Sequence, residues 1–174
     1  MVGEPLPPFD STSSPHQENR IASRLILLLA TGFGVGNLSK APGTLGSLLA
    51  IPLFLALPVL ARPSPLAAGL LLAVIAGSIA IADRADRLIG EHDAGRIVID
   101  EIAGMLVALA GQPPSILGIG LAFAVFRVFD IAKPWPAGAV DRSWPGGAGV
   151  VLDDVVSGVY ANLVVRMLLA LAGG

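Results

Sequence analysis

The chain has 174 residues, room for one domain of ordinary size. Only 14 % of them are charged, against about 25 % in a soluble domain, while 54 % are hydrophobic and the mean hydropathy is +0.78. This balance argues against a soluble globule, the net charge of −2 gives no nucleic-acid footprint, and the absence of cysteine excludes disulfides, thiolate nucleophiles and Cys-ligated zinc.

In chain order, residues 1–20 are polar and proline-rich and read as a disordered tail, leaving 21–174 as one membrane domain. The LILLLA run after Arg24 is too short for a signal segment and no A-x-A site follows it. Gly32-Phe33-Gly34-Val35-Gly36 fails the G-x-G-x-x-G pattern because Asn37 takes the last place. Two readings of this loop stand side by side. Its backbone N–H groups cradle a phosphate, helped by the Thr44 and Ser47 hydroxyls, or its small residues allow close packing.

Five apolar segments follow: Thr44 to Ala61 with Thr44 as N-cap, Leu66 to Ala82, Ile97 to Gly111, Ser115 to Phe129, and Val155 to Leu171. The third and fourth are short enough to form a tight hairpin that crosses incompletely. Gly146-Gly147-Ala148-Gly149 reads as a flexible lead into Asp153 and Asp154. The fold class expected is therefore all-α: a polytopic membrane bundle of about four to five apolar helices, some short or re-entrant. Gly104, Gly158 and Ala161 are small enough to permit a homodimer.

Charge is almost absent along most of this length: Ala41 to Ala82 holds only Arg62, Ile102 to Phe126 holds none, and Val155 to Gly174 holds only Arg166. The turns at Arg62 and Pro113 fall at one end of the bundle. Arg20, Arg24, Lys40, Arg84, Arg87, Arg96, Lys133 and Arg142 fall at the other, which the positive-inside rule makes cytoplasmic. Arg166 reads as snorkelling or internally paired.

The carboxylates lie at that same end. Asp100, Glu101, Asp130, Asp153 and Asp154 sit where apolar spans meet the charged layer, a costly place unless they are paired or metal-bound. An all-oxygen set favours Mg²⁺, Mn²⁺ or Ca²⁺. Arg127, Asp130 and Lys133 recur every three residues and would share one helix face. Metal-binding acids beside phosphate-binding cations are the equipment of phosphoryl transfer. Asp93 caps the third helix or joins the site, and His92 is a surface residue or a proton carrier. Asp83 and Asp86 read as partners of Arg84, Arg87 or lipid head groups, and Asp141 as an ion-pair partner of Arg142 or Lys133 or a member of the site.

Four blocks carry a resemblance: GFGVGNLSKAPGTLGSLLAIPL (32–53), GEHDAGRIVIDEIAGM (90–105), FRVFDIAKPWP (126–136) and DRSWPGGAGVVLDDVVSGVYA (141–161). Together and in this order they resemble the phosphatidylglycerophosphatase A family. The sequence departs from the family pattern at Glu91 and at Ser157. The resemblance implies a Mg²⁺-dependent phosphatase of the bacterial inner membrane that converts phosphatidylglycerophosphate to phosphatidylglycerol and phosphate. On this reading Asp100, Glu101, Asp130, Asp153 and Asp154 hold one or two Mg²⁺ ions. Asp93, Asp100, Arg127 and Lys133 are catalytic, and Thr44, Ser47, Arg127 and Lys133 bind substrate. Water or an aspartate serves as nucleophile. The alternatives are another lipid phosphomonoesterase or a cation-coupled transporter, which would place acids deep in the spans.

Overall fold

The computed structural model describes residues 15–38, 40–90 and 94–173, with backbone alone for 15–19. These form α1 (Pro15–Ala30), α2 (Pro42–Ala56), α3 (Pro65–Ile89), α4 (Ile99–Leu109), α5 (Ile116–Ala132), α6 (Ala137–Ser143) and α7 (Gly146–Leu171), with 3-10 turns at Val35–Asn37 and Pro58–Ala61. The described residues contain no strand. The all-α bundle expected from the sequence is what the chain adopts. α1 begins at Pro15, inside the stretch read as a tail.

Serine and proline set several of the boundaries. Ser64 Oγ accepts from Ala67 N at 3.1 Å, with Pro65 in the first helical position of α3. Ser115 caps α5 through Gly118 N at 3.0 Å. Thr44 is not the cap of α2. Pro42 takes the first position, where a missing N–H costs nothing, and Thr44 falls within the first turn. The first apolar segment also stops early, at Ala56, because Pro58 cannot continue an α-helix.

α7 starts nine residues before the expected Val155. The glycines read as a flexible lead form its first turn, pressed against α3. Gly147 N donates to Asp83 Oδ1 at 3.5 Å, and a Cβ on Gly147 would lie 2.5 Å from Asp83 N. Asp153 and Asp154 therefore sit inside a helix, two turns from its start.

Among the described residues, only α3 and α7 are long and apolar enough to cross a membrane. At 1.5 Å per residue they span roughly 37 and 39 Å, whereas α4 spans roughly 16 Å. α4 is the hub of the bundle. It packs on α2, α3, α5 and α7, and Ala103, Gly104, Met105, Leu106, Ala108 and Leu109 are all buried. Phe54, Leu60, Phe126 and Val165 complete the core around it. The α4–α7 seam is a backbone contact. A Cβ on Gly104 would lie 2.6 Å from the Asp154 carbonyl oxygen, and one on Gly158 would strike the Gly104 carbonyl. These small residues are thus used within the chain and offer no face to a second copy.

At the end away from the acids, Gly111 N donates to Leu60 O at 2.7 Å and joins the two predicted turns. Asn162 Nδ2 donates to the carbonyls of Val107, Ala108 and Ala110, and Arg166 reaches Asn162 Oδ1 at 2.7 Å and Ala110 O at 3.0 Å. The internal polar partner expected for Arg166 is this knot. It terminates α4, whose last carbonyls have no partner within the helix.

Candidate metal and phosphate site

The site is assembled from the ends of four helices. Asp100 and Glu101 occupy the first turn of α4, where the helix dipole favours negative charge. Asp130 lies near the end of α5, Asp153 and Asp154 in α7, and Gly43 and Ser47 at the start of α2. A cavity of about 100 Å³ is lined by Asp100, Glu101, Asp130, Lys133, Val150, Asp153 and Asp154. All five predicted metal-binding acids thus meet in one place.

Within that cavity the acids divide by partner. Asp100, Glu101 and Asp154 each offer an oxygen, and the three oxygens lie within 4.8 Å of one another. Asp130 instead accepts from Arg127 Nη1 at 2.5 Å. Asp153 pairs with Lys133 Nζ at 2.6 Å through one oxygen and accepts from Asp154 N at 2.9 Å through the other. Both of its oxygens are engaged.

Arg127, Asp130 and Lys133 do not share one helix face, contrary to the spacing argument. Lys133 is the C-cap of α5 with φ 43°, a left-handed conformation unusual for a residue with a side chain. Its ammonium bridges Asp153 of α7 and Asp141 of α6, the latter at 2.9 Å. Burial opposes the charge on Lys133, but its two carboxylate partners prevail and raise its pKa above the ordinary lysine value. It is a fixed cation at any physiological pH.

Arg127 stands behind Asp130 rather than in the cavity wall. Its Nη1 also reaches Ser47 Oγ at 3.4 Å, while that hydroxyl donates to Gly43 O at 2.8 Å. Ser47 is buried and, like Thr44, does not line the cavity. Asp93 and His92 lie outside the described residues. The ion pair of Asp83 with Arg87 forms as expected, at 2.5 Å. The sequence reading missed Gly43. A Cβ there would strike Glu101 Oε1 and come within 3.1 Å of Arg127 Nη1, so only hydrogen fits between them. The one available signal was a glycine immediately after the Pro42 that starts α2.

The donor set fits a hard divalent cation. Three carboxylate groups packed against each other repel, and Glu101 Oε2 is buried with no hydrogen-bond partner. A cation held by oxygen ligands removes both costs. Two glycines of the loop serve packing: Gly36 lies against the Arg96 carbonyl, and Gly32, with φ 56°, lies against Leu49 and Val98. Ser157, where the family pattern departs, donates from Oγ to Asp153 O at 3.0 Å.

The family model described as Phosphatidylglycerophosphatase A matches residues 28–169. The chain belongs to that family. It is 36 % identical over 156 residues to phosphatidylglycerophosphatase A of Escherichia coli K12, covering 86 % of this chain and 90 % of the relative. It is 39 % identical over 141 residues to phosphatidylglycerophosphatase A of Haemophilus influenzae, covering 80 % and 86 %. A Bacteroides thetaiotaomicron relative with a provisional name, phosphatidylinositol-3-phosphatase, is 39 % identical over 152 residues, covering 83 % and 94 %. No solved structure matches the chain. The matched residues of this phosphatidylglycerophosphatase A family member run from late α1 into the last turn of α7 and include every acid of the cavity.

Proposed function

We propose that this protein hydrolyses the terminal phosphomonoester of phosphatidylglycerophosphate to phosphatidylglycerol and phosphate, at a Mg²⁺ site held by Asp100, Glu101 and Asp154. The observation that carries this reading is the set of three carboxylate oxygens within 4.8 Å, beside two fixed cations. Family membership supplies the substrate.

A bound divalent cation would polarise the phosphate and lower the pKa of a coordinated water. The chain supplies the rest. Lys133, locked by Asp141 and Asp153, places positive charge at the cavity wall where phosphate oxygens would lie. Asp130 and Arg127 form a paired unit that links the carboxylate cluster to Ser47 of α2. Asp130 and Asp153 thereby act as positioning residues, a narrower role than metal ligation. Hydrolysis breaks the bond between phosphorus and the glycerol oxygen. Water gives its oxygen to phosphate and a proton to the leaving alkoxide, with Asp93 or His92 as proton carriers.

We place the protein in a bacterial inner membrane with the cavity facing the cytoplasm. α3 and α7 are long enough to cross, and exposed apolar side chains such as Leu72, Ile116 (94 % exposed) and Leu163 suit a lipid surroundings. Eight basic residues at the acidic end, against Arg62 and Arg166 at the other, support the orientation. One chain contains the whole cavity, so a homodimer is not needed for it. A transporter would place acids deep along the spans, whereas these sit at one end.

The test is phosphate release by the detergent-purified protein from phosphatidylglycerophosphate, with phosphatidylinositol 3-phosphate as comparison. Release that requires Mg²⁺, stops with EDTA and favours the first lipid supports the reading. Metal-independent release, or preference for the second lipid, contradicts it.

A further inference from the structure

α1 packs on α3 through Ile26, Leu27 and Ala30. Its other large apolar residues point elsewhere. Ile21 and Leu25 are each 54 % exposed, Leu28 is 43 % and Leu29 is 41 %. Steps of four and three residues put Ile21, Leu25 and Leu28 on one face. Arg20 and Arg24, both exposed, follow beside that stripe. An apolar face edged by arginines is the pattern of a helix lying in a membrane interface.

Beside α1 opens a second cavity, of about 500 Å³. It shares no lining residue with the acidic cavity. Arg24 of α1 and Arg96, from the segment before α4, line it together with Asn37. Leu27, Leu28 and Leu88 supply an apolar floor that runs on, through Leu28, into the exposed stripe of α1. None of the described lining residues is acidic.

We propose that this cavity binds the head group of an anionic phospholipid. Guanidinium forks match phosphate oxygens in pairs, which favours a phosphate-bearing head group over a neutral one. The leucine floor and the stripe beyond it favour a lipid over free phosphate, because a small anion would leave those side chains in water. Acyl chains lie along the α1 stripe, and the head group sits between Arg24 and Arg96. This inference rests on the membrane placement proposed above, but not on the phosphatase reading.

The experiment uses the full chain in phosphatidylcholine nanodiscs doped with phosphatidylserine, an anionic diester that is neither the proposed substrate nor its product. Lipid retained per chain is counted by native mass spectrometry, in EDTA. The expected result is saturable retention of phosphatidylserine over phosphatidylcholine, undiminished by excess inorganic phosphate. Arg24→Gln and Arg96→Gln each weaken it roughly fivefold, and the pair weakens it about 30-fold. Arg24→Lys/Arg96→Lys keeps the charge but loses the paired forks and falls between the unmodified chain and the double glutamine variant, which separates lost charge from lost fold. Asp154→Asn retains phosphatidylserine like the unmodified chain. Equal retention of the two lipids, displacement by inorganic phosphate, or unchanged retention in Arg24→Gln/Arg96→Gln overturns the proposal.

Discussion

Gly104 and Asp154 are in backbone contact: a methyl group on Gly104 would lie 2.6 Å from the Asp154 carbonyl oxygen. Asp100 lies one turn before Gly104 on α4, on the same face. Close approach of α4 and α7 at this glycine therefore sets Asp154 opposite Asp100 and Glu101, and fixes the spacing of the acidic cluster. Gly104→Ala should cost about 1–3 kcal/mol of stability by overpacking. It should also weaken metal binding, because the two helices must separate where the ligands meet. Thermal unfolding in detergent, with and without Mg²⁺, reads both effects. A variant that is less stable yet gains as much from Mg²⁺ as the unmodified chain would separate the seam from the site.

Neutralising one acid of the cluster has opposite consequences with and without metal. In EDTA, Asp154→Asn removes one of three crowded like charges and should raise the unfolding temperature. With Mg²⁺ present, the same variant should lose the metal-induced stabilisation. Phosphatase activity should fall at least about 100-fold, beyond what second-layer changes around a metal usually cost. A variant destabilised in EDTA would instead mean that the carboxylates are held by protein contacts alone.

Lys133 gives a prediction with a definite sign. Its folded pKa is raised, so the stability it contributes is complete below the ordinary lysine value of about 10.4 and is lost only as pH climbs above it. Between pH 6 and 9 it should produce no slope in stability. Asp141→Asn removes one of its two partners and lowers that pKa, so the alkaline loss should still begin near the ordinary lysine value but be smaller and finish at lower pH. Unfolding midpoints across an alkaline pH series measure the shift. An unmoved alkaline limb would show that Asp153 alone holds the ammonium.

Ser47 should matter little to turnover. Its hydroxyl donates to Gly43 O, and its contact with Arg127 is long at 3.4 Å. Ser47→Ala should reduce kcat/KM less than about tenfold, the loss of one ordinary hydrogen bond. A much larger loss, confined to KM, would restore the direct substrate contact that the sequence suggested.

These predictions depend on features of unequal visibility in the sequence. Asp100, Glu101, Asp130, Asp153 and Asp154 stand out because charge is so scarce around them, and all five line one cavity. Of their division into a metal-fitting trio and two paired acids, the pairing of Asp130 was legible from its place three residues after Arg127, while the pairing of Asp153 was not. It depends on the left-handed turn at Lys133, which spacing along a regular helix cannot express, and on short α6 bringing Asp141 to meet it. Ser115 was legible as the start of an apolar segment and proves to cap α5, whereas Thr44 misled because Pro42 captured the start of α2. The early start of α7 was hidden because Gly146 and Gly147 discourage a helix locally. Their close packing on Asp83 becomes visible only once α3 is in place.

The central claim is that Asp100, Glu101 and Asp154 hold the divalent cation on which hydrolysis of phosphatidylglycerophosphate depends. The most direct measurement is Mg²⁺ binding and phosphate release in parallel, for the unmodified chain and for Asp100→Asn, Glu101→Gln and Asp154→Asn. Loss of both signals in all three variants, with folding retained in EDTA, is the predicted result. Full activity in any one of them, or release that continues without metal, would contradict the claim.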